Sequence, residues 1–187
     1  MCYPYRMIVY DDYIPVPEIF WSFETGKPIS HCSLCHRELM EPGTNYVIEK
    51  AFQDGETLFE HAICLQCHFQ CLENLSEEST RRIRSYFAEN VDLEHRPAQL
   101  LEKFGTRHER WLGHCMVKGY PPEECGEYQI YGFCIDQDLI FNGAPYMISG
   151  EAVDEILGLL SSETLGALGD ISDRLFGIGS PKDLLVF

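Results

Sequence analysis

The spacing of apolar residues along this chain predicts short strands followed by short helices. In the first half, two extended runs over residues 45–52 and 57–63 flank an Asp-Gly turn, which is typical of a β-hairpin. Apolar residues at helical spacing over 64–75 then predict a short helix, and Ser76 is placed to cap a further one. The predicted order is therefore hairpin, helix, capped helix.

The second half shows the same kind of pattern. Short extended runs cover residues 128–134, 139–141 and 145–148. Two helices are predicted after them, over about 151–160 and 163–176, because apolar side chains recur there every three or four positions. Strands and helices are grouped separately within each half, so the predicted fold class is α+β.

These patterns divide the chain into five segments. Residues 1–30 form an extended arm that is rich in proline and aromatic residues, and residues 31–90 form the first folded unit. A helical linker over 91–112 leads to the second unit over 113–178, and residues 179–187 are a C-terminal tail. The aromatic side chains of the arm are expected to pack along the body, with a docking strip for another chain as the alternative.

Composition adds a strong negative charge to this picture. The chain has 30 acidic and 14 basic residues, and its formal net charge is -16. Such a surface repels phosphate backbones unless its cations cluster, and the two basic groups, over 81–84 and 103–110, are typical of solvated helix faces. Nucleic acid is therefore a disfavoured partner.

The cysteine count bears on the cellular compartment. The chain has nine cysteines, an odd number, and residues 1–10 lack the basic start and apolar run of a secretory signal. A reducing, cytoplasmic location is therefore expected. The longest apolar stretches are far short of the ~20 residues that a bilayer span needs, so no membrane association is expected.

Four of the cysteines form two Cys-x-x-Cys pairs, Cys32 with Cys35 and Cys64 with Cys67, and 28 residues separate the pairs. Four thiolates at this spacing are typical of tetrahedral structural zinc, in which each pair grips the ion with two sulfurs. A closed cage of this kind leaves no coordination position for a substrate. We therefore predict one structural zinc ion.

Iron is the alternative metal, because rubredoxin-type centres also use two Cys-x-x-Cys pairs. Their knuckles usually carry glycine after the second cysteine, whereas His36 and His68 occupy those positions here. The second pair of this chain also leads directly into a predicted helix. Zinc is therefore favoured over iron.

The first pair lies in a loop before the hairpin, and the second pair lies at the start of a helix. This placement resembles the treble-clef zinc finger. The run from Ile63 to Asn74, with a third helical cysteine at Cys71, resembles the N-terminal zinc-binding domain of the ClpX unfoldase over about 45 of the 187 residues. The resemblance implies that the two pairs bind the metal and that the finger serves in dimerisation and in docking of adaptors or substrates. Unfoldase activity is excluded because no GxxxxGK[ST] phosphate loop is present.

The two halves also align with each other. Cys32 corresponds to Cys115, each preceded by a histidine, and residues 46–59 align without gaps to 128–141 with four identities in fourteen positions. This alignment favours an internal duplication. The alternative is that any two units made of a hairpin and helices share scattered tyrosine, isoleucine and phenylalanine positions.

The alignment also places the helices of the two halves in register. After three extra residues in the second copy, Ser76 meets Ser161 at the same junction between two helices. Ser149 and Ala152 then stand where the second Cys-x-x-Cys pair stands in the first copy. The second unit is therefore interpreted as a diverged duplicate without metal.

No sequence pattern indicates catalysis, and no catalytic residue is assigned: GxSxG, HExxH and dinucleotide-binding signatures are absent.

The predicted function is a non-enzymatic protein–protein interaction or adaptor module. A homodimer of this chain is one assembly that such a module would form. Two alternatives stay open. One is a thiol-based redox or metal sensor or enzyme that uses Cys115, Cys125 and Cys134. These three cysteines are also the candidate ligands of a second metal ion, which is less favoured because their spacings of 9 and 8 residues are not knuckle spacings. The other is a nucleic-acid-binding zinc finger protein.

Overall fold

A computed structural model describes residues 12–176 of the 187-residue chain, and within this range it confirms the α+β class. The strands are β1 (Tyr13–Pro15), β2 (Asn45–Gln53), β3 (Glu56–Cys64), β4 (Glu127–Ile135), β5 (Asp138–Ile140) and β6 (Tyr146–Ser149). The helices are α1 (Leu65–Leu72), α2 (Glu77–Asn90), α3 (Arg96–Phe104), α4 (His108–Trp111), α5 (Gly150–Gly158) and α6 (Ser162–Phe176). None of these helices combines the length and the hydropathy that a membrane span requires.

The strands belong to one antiparallel sheet. Its order is β1, β5, β4, β2, β3, and β6 also pairs with β4. The β2–β3 hairpin agrees with the sequence pattern, but the pairing of β2 with β4 has no local signal in the sequence. This pairing runs over nine residues, from Asn45 opposite Ile135 to Gln53 opposite Glu127. It satisfies backbone groups of both strands and makes the two halves parts of one sheet.

The two halves turn at corresponding residues, although the return strand is continuous in the first half (β3) and divided into β5 and β6 in the second. β2 turns into β3 at Asp54 and β4 turns into β5 at Asp136, and the φ angles of these residues are 51° and 56°. Aspartate tolerates this left-handed conformation better than most residues do. The Asp136 carboxylate also accepts a hydrogen bond from the Gly43 amide at 2.6 Å. The second turn is thereby tied to the loop that precedes β2.

The caps of α2 and α6 contact each other. Ser76 caps α2, as the sequence predicts, by accepting from the Ser79 amide, and Ser161 accepts from the Thr164 amide, both at 3.2 Å. The Ser76 amide donates to Thr164 Oγ1 at 3.0 Å, and the Ser161 amide donates to Ser79 Oγ at 2.9 Å. Each of these contacts has a counterpart in which the two halves exchange the roles of donor and acceptor. The cap contacts of the two halves are therefore reciprocal, as is the pairing of β2 with β4.

Residues 12–30, the described part of the predicted arm, pack onto the body. β1 pairs with β5 at the edge of the sheet, and Phe20 is fully buried. Trp21 Nε1 donates to the Val16 carbonyl at 2.9 Å, and Lys50 Nζ donates to the Trp21 carbonyl at 2.6 Å. These contacts hold Phe20 and Trp21 against the body, whereas Tyr13 and Phe23 are exposed.

The predicted linker forms α3 and α4. Trp111 is buried at the end of α4, where its ring contacts Phe141 with centroids 5.0 Å apart and its Nε1 donates to the Gly105 carbonyl at 3.0 Å. The linker is therefore part of the core. Residues 1–11, the start of the predicted arm, lie outside the described residues. Residues 177–187, which include the predicted tail, also lie outside them.

A buried polar cluster lies at the centre of the sheet. Glu49 on β2 stands opposite Tyr131 on β4 and opposite His61 on β3, and all three residues are at most 2% exposed. The Tyr131 hydroxyl lies 3.1 Å from Glu49 Oε1, within hydrogen-bond distance. His61 Nε2 lies 3.4 Å from Glu49 Oε2, but neither ring nitrogen of His61 has a hydrogen-bond partner within residues 12–176. Burial lowers the pKa of His61 to about 3.

We expect His61→Phe to change how stability depends on pH. The unfolded chain takes up a proton on His61 below about pH 6.5, whereas the folded chain does so only near pH 3, so wild-type stability falls as the pH drops between these values. By pH 4.5 the loss relative to the variant amounts to about 2–3 kcal/mol. Urea unfolding of both proteins between pH 7 and pH 4.5 measures this difference. A difference in unfolding free energy that stays constant over the range contradicts the assignment.

Candidate metal centre

The structure brings the four cysteines of the two Cys-x-x-Cys pairs together. The Sγ atoms of Cys32, Cys35, Cys64 and Cys67 all lie within 4.8 Å of one another, and Cys35 Sγ lies 3.8 Å from Cys64 Sγ. A tetrahedral ion with metal–sulfur bonds of about 2.3 Å holds its ligands about 3.8 Å apart. The donor atoms and their spacing therefore fit one four-coordinate, thiolate-binding metal ion.

A tight loop holds the first pair. The Cys32 amide donates to the Arg37 carbonyl and the His36 amide donates to the Cys32 carbonyl, each at 2.8 Å. His36 has a φ of 60°, the left-handed conformation, which turns the chain back after the second cysteine. The Ser33 amide donates to the Ala62 carbonyl of β3 at 2.8 Å. The loop is thus positioned by its own hydrogen bonds and by the neighbouring strand.

The junction between β3 and α1 holds the second pair. Cys64 ends β3 and is the N-cap residue of α1, and Cys67 lies in the first turn of that helix. Residues three apart on a helix lie on one face, so both sulfurs face the first loop. The Cys64 amide donates to Cys32 Sγ at 3.4 Å, and the Arg37 guanidinium donates to Gln66 Oε1 at 2.9 Å. These two bonds join the loop to the start of the helix.

The electrostatics of the cluster favour a bound cation. Burial opposes ionisation of Cys32, but backbone amides of Cys35, Cys64 and Leu34 outweigh it and lower the pKa of this thiol to about 7. Burial raises the pKa of Cys64, and burial together with the neighbouring thiols raises the pKa of Cys67. Four thiols this close do not ionise together without a positive charge, whereas a metal ion stabilises all four thiolates and releases their protons.

The other described cysteines do not join this cluster. Within residues 12–176, the four-cysteine group is the one set of three or more His, Cys, Asp and Glu side chains whose ligand atoms converge for a metal ion. Cys71 lies one turn further along α1, Cys125 donates to the Pro121 carbonyl, and Cys134 is fully buried in β4. Burial raises the pKa of all three thiols, which disfavours the reactive thiolate of a redox centre.

Comparisons of this chain with protein-family models, with curated proteins and with solved structures found no match. The function is therefore argued from the geometry of the site and from the surface around it.

Cys64→Ser should remove the bound metal, because a neutral hydroxyl replaces one of the four thiolates. We expect about one metal ion per wild-type chain and metal binding weaker by on the order of 100-fold or more in the variant. Cys71→Ser, which changes a cysteine of the same helix outside the cluster, is the matched control and should keep the wild-type metal content. Elemental analysis and absorption spectra of the cobalt-substituted proteins measure both. Full metal content in the Cys64→Ser protein would show that this cysteine is not a ligand.

Proposed function

We propose that this chain is a non-enzymatic protein–protein interaction or adaptor module organised by one structural zinc ion. The closed four-cysteine site carries the proposal. Its fourth thiolate takes the position that a catalytic zinc keeps open for water or substrate, and Cys32, Cys64 and Cys67 are buried, with Cys35 alone exposed. Zinc fits this all-sulfur donor set without a redox role, so the metal contributes stability to the fold and takes no part in a reaction.

We further propose that residues 31–90 form a treble-clef finger related to the N-terminal zinc-binding domain of ClpX. In support, a knuckle loop, the β2–β3 hairpin and α1 follow one another, and α1 begins at the second cysteine pair. The resemblance implies dimerisation and the docking of adaptors or substrates. A homodimer is therefore one form that the proposed interaction takes.

We infer that residues 113–178 are a diverged duplicate of this unit. Four identities in fourteen aligned positions are weak support alone. The shared turns at Asp54 and Asp136, the reciprocal contacts of the helix caps and the pairing of β2 with β4 add support that is independent of residue identity. Related units resemble each other in connectivity longer than in sequence.

Exposed apolar side chains provide a surface for the proposed partner. Phe69 on α1 and Leu93 after α2 are 54% and 51% exposed, and both border a cleft of about 410 Å³ between the sheet and these helices. Leu93 and Phe87 also line a neighbouring groove along α2. Contiguous apolar surface of this kind marks protein interaction sites. Phe69 lies two residues after the metal ligand Cys67, so the metal centre fixes its position.

Affinity capture from the native host with the wild-type protein and with the Phe69→Ser/Leu93→Ser variant tests the proposal. We expect one protein to co-purify in stoichiometric amount with the wild type and to bind the variant at least about tenfold more weakly, because truncated interface residues cost about 1–2 kcal/mol. Leu58→Ser is the matched control: it removes a leucine of similar exposure, 52%, from the edge strand β3. This control should retain the partner.

Three further measurements separate the proposal from its alternatives. Analytical ultracentrifugation of the wild type and the double variant identifies a second copy of this chain as the partner. Serine variants of Cys115, Cys125 and Cys134 should bind the partner as the wild type does, and loss of binding or of a chemical activity in them would favour the thiol-based sensor. Steeply salt-dependent binding to DNA or RNA, without any protein partner, would overturn the adaptor proposal.

A further inference from the structure

The second half contains a loop with the same hydrogen bonds as the metal-binding loop of the first half. The Cys115 amide donates to the Tyr120 carbonyl and the Gly119 amide donates to the Cys115 carbonyl, each at 2.8 Å. Gly119 has a φ of 74°, the same left-handed conformation as the corresponding residue of the first loop. The Met116 amide donates to the Met147 carbonyl of β6 at 2.8 Å, just as the first loop is held to β3.

The junction between strand and helix is also reproduced. Ser149 ends β6 and is the N-cap residue of α5, with φ and ψ of −72° and 153°, and the corresponding angles of Cys64 are −63° and 153°. The Ser149 amide donates to Cys115 Sγ at 3.2 Å, as the Cys64 amide donates to Cys32 Sγ at 3.4 Å. One sulfur therefore occupies the same place in both halves.

These contacts relate four positions of the second half to the four metal-ligand positions of the first. Cys115 retains the thiol of Cys32. In chain order, the remaining ligands Cys35, Cys64 and Cys67 are replaced by Lys118, Ser149 and Ala152. With one thiol of four left, this set lacks the sulfur ligands that a metal such as zinc requires.

Lys118 brings a positive charge to this set of positions. Its Nζ lies 3.2 Å from Glu151 Oε1 and also forms a charged hydrogen bond with Glu155, and both glutamates are on α5. The Lys118 amide donates to Cys115 Sγ at 3.3 Å. The lysine thus joins the loop to the helix, and a metal ion bound by Cys35 would add a link of the same kind to the Arg37–Gln66 hydrogen bond of the first half.

We propose that the ammonium group of Lys118 replaces a metal ion in the second half, and that the four positions 115, 118, 149 and 152 still form a latent tetrahedral site for a thiolate-binding divalent cation. Lys118 stands at the position that corresponds to the ligand Cys35, and an ammonium group this close would repel a bound metal ion, so the two exclude each other. The inference rests on the proposed duplication and on the backbone geometry of the second half, and it requires no partner protein.

The variant Lys118→Cys/Ser149→Cys/Ala152→Cys tests the latent site directly. It supplies three thiols in addition to Cys115 and removes the competing charge, so we expect its metal content to rise by one ion per chain above the wild type. In the cobalt-substituted protein, the absorption of tetrahedral cobalt–thiolate sites should increase in proportion to the added ion. The matched control carries the same substitutions together with Cys115→Ser and should bind the extra ion at least about tenfold more weakly, since one of four thiolates is missing.

A triple variant that folds, as judged by circular dichroism, and binds no more metal than the wild type overturns the latent site. If the metal-free variant is unfolded, titration with Co²⁺ decides: recovery of secondary structure together with the extra tetrahedral absorption supports the proposal, and no recovery overturns it. The wild type is measured in the same assay, and only the difference in metal content is used. The result therefore does not depend on which metal the first half binds.

Lys118→Met tests the role of the ammonium group itself. We expect amide hydrogen exchange over residues 115–120 to accelerate by about two- to fivefold, because the loop loses its ion pairs with α5 and keeps the hydrogen bonds between Ser149 and Cys115. Lys103→Met, which removes an exposed lysine from α3, is the matched control and should leave exchange in this loop unchanged. Equal exchange in the two variants would show that Lys118 does not hold the loop.

Discussion

The antiparallel pairing of β2 with β4 joins equivalent strands of the two halves over nine residues, and most other features of the structure follow from it. A two-stranded hairpin alone is marginally stable in water, because one of its faces and both of its edges lack partners. Pairing β2 with β4 joins the two halves edge to edge and gives a wider sheet. The register places Glu49 opposite Tyr131 at the middle of the paired strands, and the caps of α2 and α6 complete each other's hydrogen bonds.

Each half must also hold a loop against the start of a helix, and the two halves do this with different strengths. Structural zinc contributes about 10–16 kcal/mol in small fingers, whereas an ion pair near the surface contributes about 0–1 kcal/mol. The packing of the two helices matches this difference. α1, beside the four-cysteine cluster, buries Cys67 and His68, whereas α5, beside Lys118, buries the apolar side chains of Ala152, Val153 and Ile156. The second half therefore relies on apolar packing at the place where a metal ion would act in the first half.

Local patterns predicted much of the fold and the four-cysteine cluster, because their causes are local. The Asp-Gly turn, the serine cap at Ser76 and the Cys-x-x-Cys spacing each act within a few residues of sequence. The pairing of β2 with β4 joins strands about 80 residues apart, and neither strand carries a signal that selects its neighbour. The contact of Lys118 with Glu155 spans 37 residues, and a single lysine in a loop is usually exposed to solvent. No local pattern therefore pointed to a role for this lysine.

The difference between the two helices also bears on how a metal ion would influence binding. α1 carries the exposed Phe69 and buries only Cys67 and His68, so a metal ion bound by Cys64 and Cys67 would add substantially to its contacts with β2 and β3. Without a cation, the loop and the helix are joined by the hydrogen bonds from Cys64 to Cys32 and from Arg37 to Gln66, and the shared sheet still fixes β2, β3 and β4. Loss of metal would therefore loosen α1 and the Phe69–Leu93 surface before it opens the sheet. In the proposed module, the metal would then act on a partner through the order of one helix, with no contact between the ion and the partner.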